Sequence, residues 1–248
     1  MISIIIPIFN SESYLEKNIL KIYEYFKKEN LDFELILVND GSTDNTRKYL
    51  YRISALLDNC NIVDYGDNMG KGFAIYAGIQ KSKGDVFVIY DVDMSASLDS
   101  LHKLIEIQKK DKYDVVLGSR YITKIGINQS FIRRFSGKLF NFFVRALFKL
   151  PFSDTQCGCK VFSRRVHEVV SEGIEIQGFA FDVPLLEKLV LKKCTHIEVP
   201  ILWNQGDTNF LIDTFVVFTI GPRMFIDILK YKFGYLEKKV ISYESKNL

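Results

Sequence analysis

The chain is poor in the residues that mark several protein classes. Only four cysteines occur in 248 residues, and only Cys157 and Cys159 lie close together. Their C-x-C spacing fits no common zinc pattern, so reduced thiols in a cytosolic protein are the expectation. The three histidines, His102, His167 and His196, have no partners at metal-ligand spacing. No run reaches the roughly 20 apolar residues of a membrane span. The nearest approach, Phe210 to Ile220, is interrupted by Asp213. The apolar start, Ile2 to Ile6, is too short for a signal peptide and meets Pro7. These features predict a soluble or peripheral protein.

Acidic residues are missing from one long stretch. Between Val115 and Ser153 there is none, while Arg120, Lys124, Arg133, Arg134, Lys138, Arg145 and Lys149 supply seven positive charges. The whole chain carries +3, so everything outside that stretch sums to −4. The small total argues against a nucleic-acid binder. The hydrophobic content of 48% excludes a disordered or collagen-like chain.

What is present is an alternation of two periodicities. Buried-strand runs are read at Ile2–Ile6, Phe33–Val38, Ile62-Val63, Asp85–Tyr90 and Asp114–Gly118. Between them lie helical patterns: Tyr14 to Phe26, Thr43 to about Leu57, Gly70 to Lys81 and Leu98 to Lys109. This order predicts a mainly parallel sheet with helices on both faces. Beyond Ser119 the spacing predicts helices at Phe131–Leu150, Arg164–Ser171, Phe181–Lys192 and from Phe210 to about Leu236. Strands are expected at Lys160–Phe162 and His196–Leu202.

In such sheets ligands bind beyond the carboxyl ends of the strands. Three polar clusters fall there: Phe9-Asn10-Ser11, Asn39-Asp40-Gly41 and Asp91-Val92-Asp93. Asn68-Met69-Gly70-Lys71-Gly72 fails as a phosphate loop, since Tyr65 stands where the first Gly is needed and Gly72 replaces Ser/Thr. It fails as a dinucleotide fingerprint because Ile75 stands where the third Gly belongs. A Gly-Lys-Gly helix start can still bring backbone N–H groups and an ammonium to a phosphate. Asp91 and Asp93 are two hard oxygen donors at a strand exit, suited to Mg²⁺ or Mn²⁺ bridging a diphosphate. Asp154-Thr155-Gln156-Cys157-Gly158 and Phe179-Ala180-Phe181-Asp182 place further polar groups beside apolar segments, where a turn and a helix cap are equally good readings. The segment from Phe131 to Leu150 interleaves aromatics with arginine and lysine. It reads as a core helix with a solvated face, or as an interfacial helix drawn to anionic lipid. Arg223 to Phe233 has the same character.

Taken in order, these motifs resemble the family 2 inverting glycosyltransferases of the GT-A fold. The residues concerned are Ile6-Pro7-Ile8-Phe9-Asn10, Val38-Asn39-Asp40-Gly41-Ser42-Thr43-Asp44, Asn68-x-Gly70-Lys71-Gly72, Asp91-x-Asp93, Gly118-Ser119-Arg120-Tyr121, Asp154 to Gly158, Phe179 to Asp182 and Val199-Pro200-x-x-Trp203. Within that family the chain looks most like the polyprenyl- or dolichyl-phosphate sugar transferases, especially the dolichyl-phosphate β-glucosyltransferase branch.

The resemblance implies a Rossmann-like, mainly parallel α/β sheet. It implies a catalytic domain over residues 1–210 and a C-terminal amphipathic, membrane-associated helical extension over 211–248. The implied reaction moves a hexose, glucose from UDP-glucose, onto a polyprenyl or dolichyl phosphate at the cytosolic face of a membrane, with Mg²⁺ or Mn²⁺. Pro7 and Phe9 would line the nucleotide pocket, Asp40 would bond the base, and Lys71 would lie near the nucleotide. Asp91 and Asp93 would hold the metal. Arg120, Arg133, Arg134 and Ser136 would bind the lipid phosphate. Asp154 and Gln156 would face the donor sugar, with Asp182 nearby as a sugar contact or base. Two departures stand out. Ser11 occupies a position where the family usually has Glu, and Asn204 to Phe210 lacks the family's Gly-Ser-Lys segment. A soluble glycan or protein acceptor, and a non-catalytic sugar-nucleotide-binding module, remain as alternatives at this point.

Overall fold

A computed structural model describes residues 1–122, 127–128, 130–204 and 210–234. Lys124, most of the Asn204–Phe210 stretch and the tail from 235 lie outside the described residues.

The strands are β1 (Ile2–Ile8), β2 (Phe33–Asp40), β3 (Cys60–Tyr65), β4 (Val86–Tyr90), β5 (Val115–Ser119), β6 (Ile127–Asn128), β7 (Cys159–Ser163), β8 (His196–Pro200) and β9 (Trp203–Asn204). The helices are α1 (Leu15–Lys28), α2 (Thr46–Ser54), α3 (Lys71–Lys81), α4 (Leu98–Asp111), α5 (Phe131–Phe148), α6 (Arg164–Ser171), α7 (Asp182–Leu191) and α8 (Phe210–Lys232), with a 3₁₀ turn at Phe179–Phe181. Seven strands form one sheet in the order β3-β2-β1-β4-β7-β5-β8. Every pairing in it is parallel except those of β7, which runs antiparallel between β4 and β5. The expected mainly parallel α/β sheet is therefore present, with one reversed strand near its middle.

The strand residues are apolar on both sides because both faces are covered. Ile4, Ile6, Leu35 and Leu37 pack with Leu15, Ile19, Ile22 and Phe26 of α1 on one face. Ile5, Ile36 and Val38 pack with Ala74, Ala77 and Ile79 of α3 on the other. Each such buried aliphatic side chain contributes roughly 1.5–3 kcal/mol of transfer free energy.

Chain order reverses at β1, which has β2 on one side and β4 on the other. A crevice opens beyond the strand ends at such a switch point. The sequence elements that reach it are Pro7-Phe9 from β1, Asp40 from β2 and Asp91-Asp93 from β4.

Helix α2 starts at Thr46, three residues later than the spacing predicts. The reason is local. The Thr43 amide donates to Asn10 Oδ1 at 2.8 Å and the Asn45 amide to Glu12 Oε2 at 2.7 Å, so the turn is tied to the β1 exit. The Thr46 amide is then capped by Asp44 Oδ1 at 2.9 Å.

Helix α5 turns few side chains inward: Asn141, Val144 and Phe148 are buried. Phe131 is 83% exposed, Phe142 65% and Phe135 60%. Helix α8 lies against α5 and the 3₁₀ turn, with Ile228 fully buried and the Tyr231 ring stacked on Phe148. Its later turns are thus docked on the body of the protein. No helix among the described residues is long and apolar enough to cross a membrane.

Candidate active site

Pro7, Phe9, Asp40, Lys71, Asp91 and Asp93 line one open cleft of about 350 Å³, together with Tyr14 and Phe179. Beyond Asp93 lies a second cleft of about 580 Å³, which reaches Ser95, Trp203 and Asn204. Asp93 is the wall common to both.

Asp91 leaves the end of β4 and Lys71 opens α3. The Lys71 Nζ stands 2.6 Å from Asp91 Oδ1. Burial works against the ammonium, but Asp91, with help from Asp182 and Asp93, outweighs it and keeps the Lys71 pKa above its ordinary value. The same ammonium lies 5.9 Å from the centre of the Phe179 ring. The back of the Asp91 carboxylate rests on Gly158: a Cβ there would stand 2.5 Å from Asp91 Cγ and closer still to Oδ2. The glycine of the Asp154–Gly158 cluster therefore makes room for the Asp91 carboxylate.

The backbone amides on either side of Lys71 are taken up by partners within the protein. Met69 and Gly70 amides donate to the Asp40 carboxylate at 2.8 and 3.0 Å. Gly72 and Phe73 amides donate to the Gln177 carbonyl at 2.7 and 3.2 Å. Of the N–H groups expected here for a phosphate, those of residues 69, 70, 72 and 73 are thereby committed elsewhere, which leaves Lys71 to present its ammonium. Asp40 itself also accepts from the Tyr65 hydroxyl at 3.0 Å and the Asn68 amide at 3.1 Å. Burial raises its pKa, and these donors oppose the rise. Its carboxylate fixes the 68–70 loop, which holds Lys71 at the cleft floor.

Arg120 and Asp154 are paired with one another. Arg120 Nε lies 2.7 Å from Asp154 Oδ2, a second guanidinium nitrogen lies 2.8 Å from Oδ1, and the Arg120 amide donates to Oδ2 at 3.0 Å. Asp154 is fully buried and Arg120 is 8% exposed. Burial opposes ionisation of Asp154, but Arg120 more than compensates and lowers its pKa. The guanidinium also stacks 4.9 Å from the Trp203 ring and 5.3 Å from Tyr121. Around this pair the Tyr121 hydroxyl, the Gln156 side-chain nitrogen and the Trp203 indole nitrogen are buried without a hydrogen-bond partner among the described residues. Buried donors without acceptors are uncommon in folded proteins.

Arg133, Arg134 and Ser136 lie together on the first turns of α5, where the Ser136 hydroxyl donates to the Arg133 carbonyl at 3.2 Å. Asp182 begins α7 and is buried, 2.9 Å from Lys160 Nζ. Burial pushes its pKa up to about 6, against the pull of Lys160 and Lys71.

Sequence reasoning missed three supporting residues. Asn141 accepts from the Thr155 amide and hydroxyl at 2.9 and 2.8 Å, tying the 154–156 turn to α5. Glu198 accepts from the Ser153 and Asp154 amides at 2.8 and 2.9 Å. Lys160 sits inside β7. Each was legible as a polar residue inside an apolar run. The Ser11 departure also has a structural reading: its amide donates to Thr46 Oγ1, and Glu12 beside it caps the α2 turn instead of lining the cleft.

The donor set suits a divalent cation that is shared with a ligand. No group of three or more His, Cys, Asp or Glu among the described residues encloses an ion alone. Two carboxylates at the cleft wall match the way Mg²⁺ is held by one or two carboxylates plus substrate phosphates and water.

A cleft at the switch point of this sheet, walled by two strand-exit carboxylates, fits the GT-A architecture. The chain belongs to glycosyl transferase family 2, whose family model matches residues 3–170. It is 28% identical over 215 residues to a dolichyl-phosphate beta-glucosyltransferase, ALG5D, of Trichomonas vaginalis, covering 82% of this chain and 66% of that protein. A dolichyl-phosphate beta-glucosyltransferase of Dictyostelium discoideum is 29% identical, over 95% of this chain and 75% of its own length. In fold the chain is similar to glucosyl-3-phosphoglycerate synthase from Mycobacterium tuberculosis, solved with Mn²⁺, UDP and glucosyl-3-phosphoglycerate. That likeness has a TM-score of 0.68 at 16% identity, over 94% of this chain and 80% of the other.

Proposed function

We propose that the chain is a metal-dependent inverting hexosyltransferase that moves glucose from UDP-glucose onto a polyprenyl or dolichyl phosphate at a membrane surface, on its cytosolic face. The observation that carries this reading is the convergence of Asp91, Asp93 and Lys71 on one cleft, in a chain whose curated relatives include dolichyl-phosphate beta-glucosyltransferases.

Asp91 and Asp93 would hold Mg²⁺ or Mn²⁺ on the donor diphosphate. The ion supplies charge stabilisation for the leaving diphosphate. Pro7 and Phe9 present an apolar edge to the nucleotide, and Lys71 adds a positive charge on the phosphate side. Asp40 acts at one remove, by fixing the loop that carries Lys71. A phosphate acceptor is already ionised at neutral pH. The chain's work is then positioning and charge stabilisation rather than deprotonation. Gln156, Tyr121 and Trp203 offer buried donors to sugar hydroxyls or phosphate oxygens, with the Arg120–Asp154 pair as their rigid base. Arg133, Arg134 and Ser136 supply the acceptor-phosphate contacts from α5.

The exposed Phe131, Phe135 and Phe142, interleaved with Arg133, Arg134, Lys138 and Arg145, support the membrane-surface half of the reading. Contiguous exposed aromatics on a soluble protein mark an interaction face, and the acid-free basic setting suits anionic lipid. Residues 1–210 serve as the catalytic unit and 211–248 as a C-terminal, membrane-associated extension, of which α8 lies against α5.

The test combines protein, Mn²⁺ or Mg²⁺, a panel of labelled sugar nucleotides and polyprenyl phosphate, with organic extraction of product. Lipid-linked glucose is the expected outcome. No lipid-linked product from any common donor refutes the proposal. Asp91→Ala and Asp93→Ala should each abolish transfer in a folded protein, and retained turnover would remove the metal assignment.

A further inference from the structure

Lys160 stands in the centre of the sheet, paired in register with Ile89 of β4 and Leu117 of β5. It is 1% exposed. Desolvating an ammonium is costly, and a buried ion pair is often no more stable than an apolar replacement of similar volume. A lysine in this place therefore calls for a reason other than stability.

Two of its contacts supply one. Nζ lies 2.9 Å from Asp182 Oδ1, and Nζ also donates to the Cys157 carbonyl. Cys157 is followed by Gly158, whose α-carbon is the surface on which the Asp91 carboxylate rests. Asp182 in turn lies within electrostatic reach of Lys71 and Asp91. One ammonium, rising from the sheet, thus anchors two separate pieces of chain: the turn into β7, against which the Asp91 carboxylate rests, and the start of α7.

We propose that Lys160 is a positioning residue of the transferase site, which fixes the Cys157–Gly158 turn, and through it the Asp91 carboxylate, while pairing with Asp182 at the start of α7. The proposal rests on the transferase reading above. Lys160 touches no substrate; its effect passes through Gly158 and Asp182. Groups that orient metal-holding side chains in this way typically change affinity or activity 10- to 100-fold when removed.

The experiment uses Lys160→Met, Asp182→Asn and the double variant in the full chain. The readouts are melting temperature, the Kd for UDP with Mn²⁺ by calorimetry, and kcat and KM for lipid-linked transfer. Lys160→Met should weaken UDP·Mn²⁺ binding about 10-fold and lower kcat by roughly 100-fold. Asp182→Asn should lower kcat and leave UDP·Mn²⁺ binding near wild type. The double variant removes both charges, so its melting temperature should recover, while its UDP·Mn²⁺ affinity stays weak. Recovery of that affinity along with stability would overturn the proposal and leave Lys160 as a charge-balancing group. Wild-type affinity and kcat in Lys160→Met would overturn it equally. If the wild-type protein binds UDP·Mn²⁺ but transfers to no lipid, the proposed function fails while the binding comparison still decides the role of Lys160. Wild-type protein that binds no UDP with Mn²⁺ overturns both.

Discussion

Gly158→Ala isolates the placement of one carboxylate. Gly158 is outside the left-handed region of backbone space, so alanine meets no conformational strain there. The added methyl meets one group, the Asp91 carboxylate, at 2.5 Å from Cγ and less from Oδ2. One side must yield. The turn is held at both ends, by the Arg120–Asp154 pair and by Lys160 on the Cys157 carbonyl. The Asp91 side chain, 24% exposed and open to the cleft, is the part that moves. Moving it breaks a 2.6 Å contact with Lys71 and withdraws one oxygen donor from the cleft wall. A charge-assisted hydrogen bond contributes about 1.5–3 kcal/mol. The expected loss in UDP·Mn²⁺ affinity is then about 10- to 150-fold. Calorimetric titration of UDP with Mn²⁺ measures it, with thermal melting to show that the fold persists. Gly66→Ala, where a Cβ meets nothing within 4 Å, is the control. Wild-type affinity in Gly158→Ala would refute the reasoning, since the methyl would then have been accommodated without displacing Asp91.

Three other outcomes are expected. Burial raises Asp182 to about 6, and its ionised form is the one that pairs with Lys160, so kcat/KM should climb as pH rises through that value and Asp182→Asn should remove this limb of the profile. The sign for stability is opposite: the folded state holds this proton more tightly than the unfolded chain, so the Asp182 contribution is largest below the ordinary carboxylate pKa and fades as pH passes about 6. Asp154→Ala leaves the Arg120 guanidinium buried without its partner and should cost about 3–5 kcal/mol, read as a lowered melting temperature; an unchanged one would contradict the pairing. Replacing Phe131, Phe135 and Phe142 by Ser should reduce flotation with anionic vesicles at least about 10-fold, since each buried Phe contributes roughly 1.5–3 kcal/mol, and undiminished flotation would remove α5 from the proposed membrane face.

Much of the architecture was legible because its causes are local. Ile2-Ser3-Ile4-Ile5-Ile6 is a strand buried on both faces, and its composition says so. The α1 face of Leu15, Ile19, Ile22 and Phe26 repeats at helical spacing and is buried as a unit. Asp91 and Asp93 flank Val92, which turns into the core at 7% exposure while both carboxylates line the cleft. Other features depended on partners far away in sequence. Nothing in Lys160-Val161-Phe162 tells that β7 runs against its neighbours. Nothing near Thr43 tells that Asn10 and Glu12 delay the start of α2. Arg120 and Asp154, 34 positions apart, each read as a group for a ligand. Their mutual bidentate geometry gives both a partner inside the protein.

The sequence by itself determined the parallel strands, the helices between them and the positions of the cleft carboxylates, because hydrophobic periodicity and strand-exit position are written in adjacent residues. Only the tertiary structure decided which charges face one another. Asp40 serves a loop, Arg120 serves Asp154, and Lys160 joins two segments that meet only in the folded chain. Charge pairing depends on distances of a few ångströms between residues that the chain itself keeps far apart, so no reading of neighbours along the sequence reaches it.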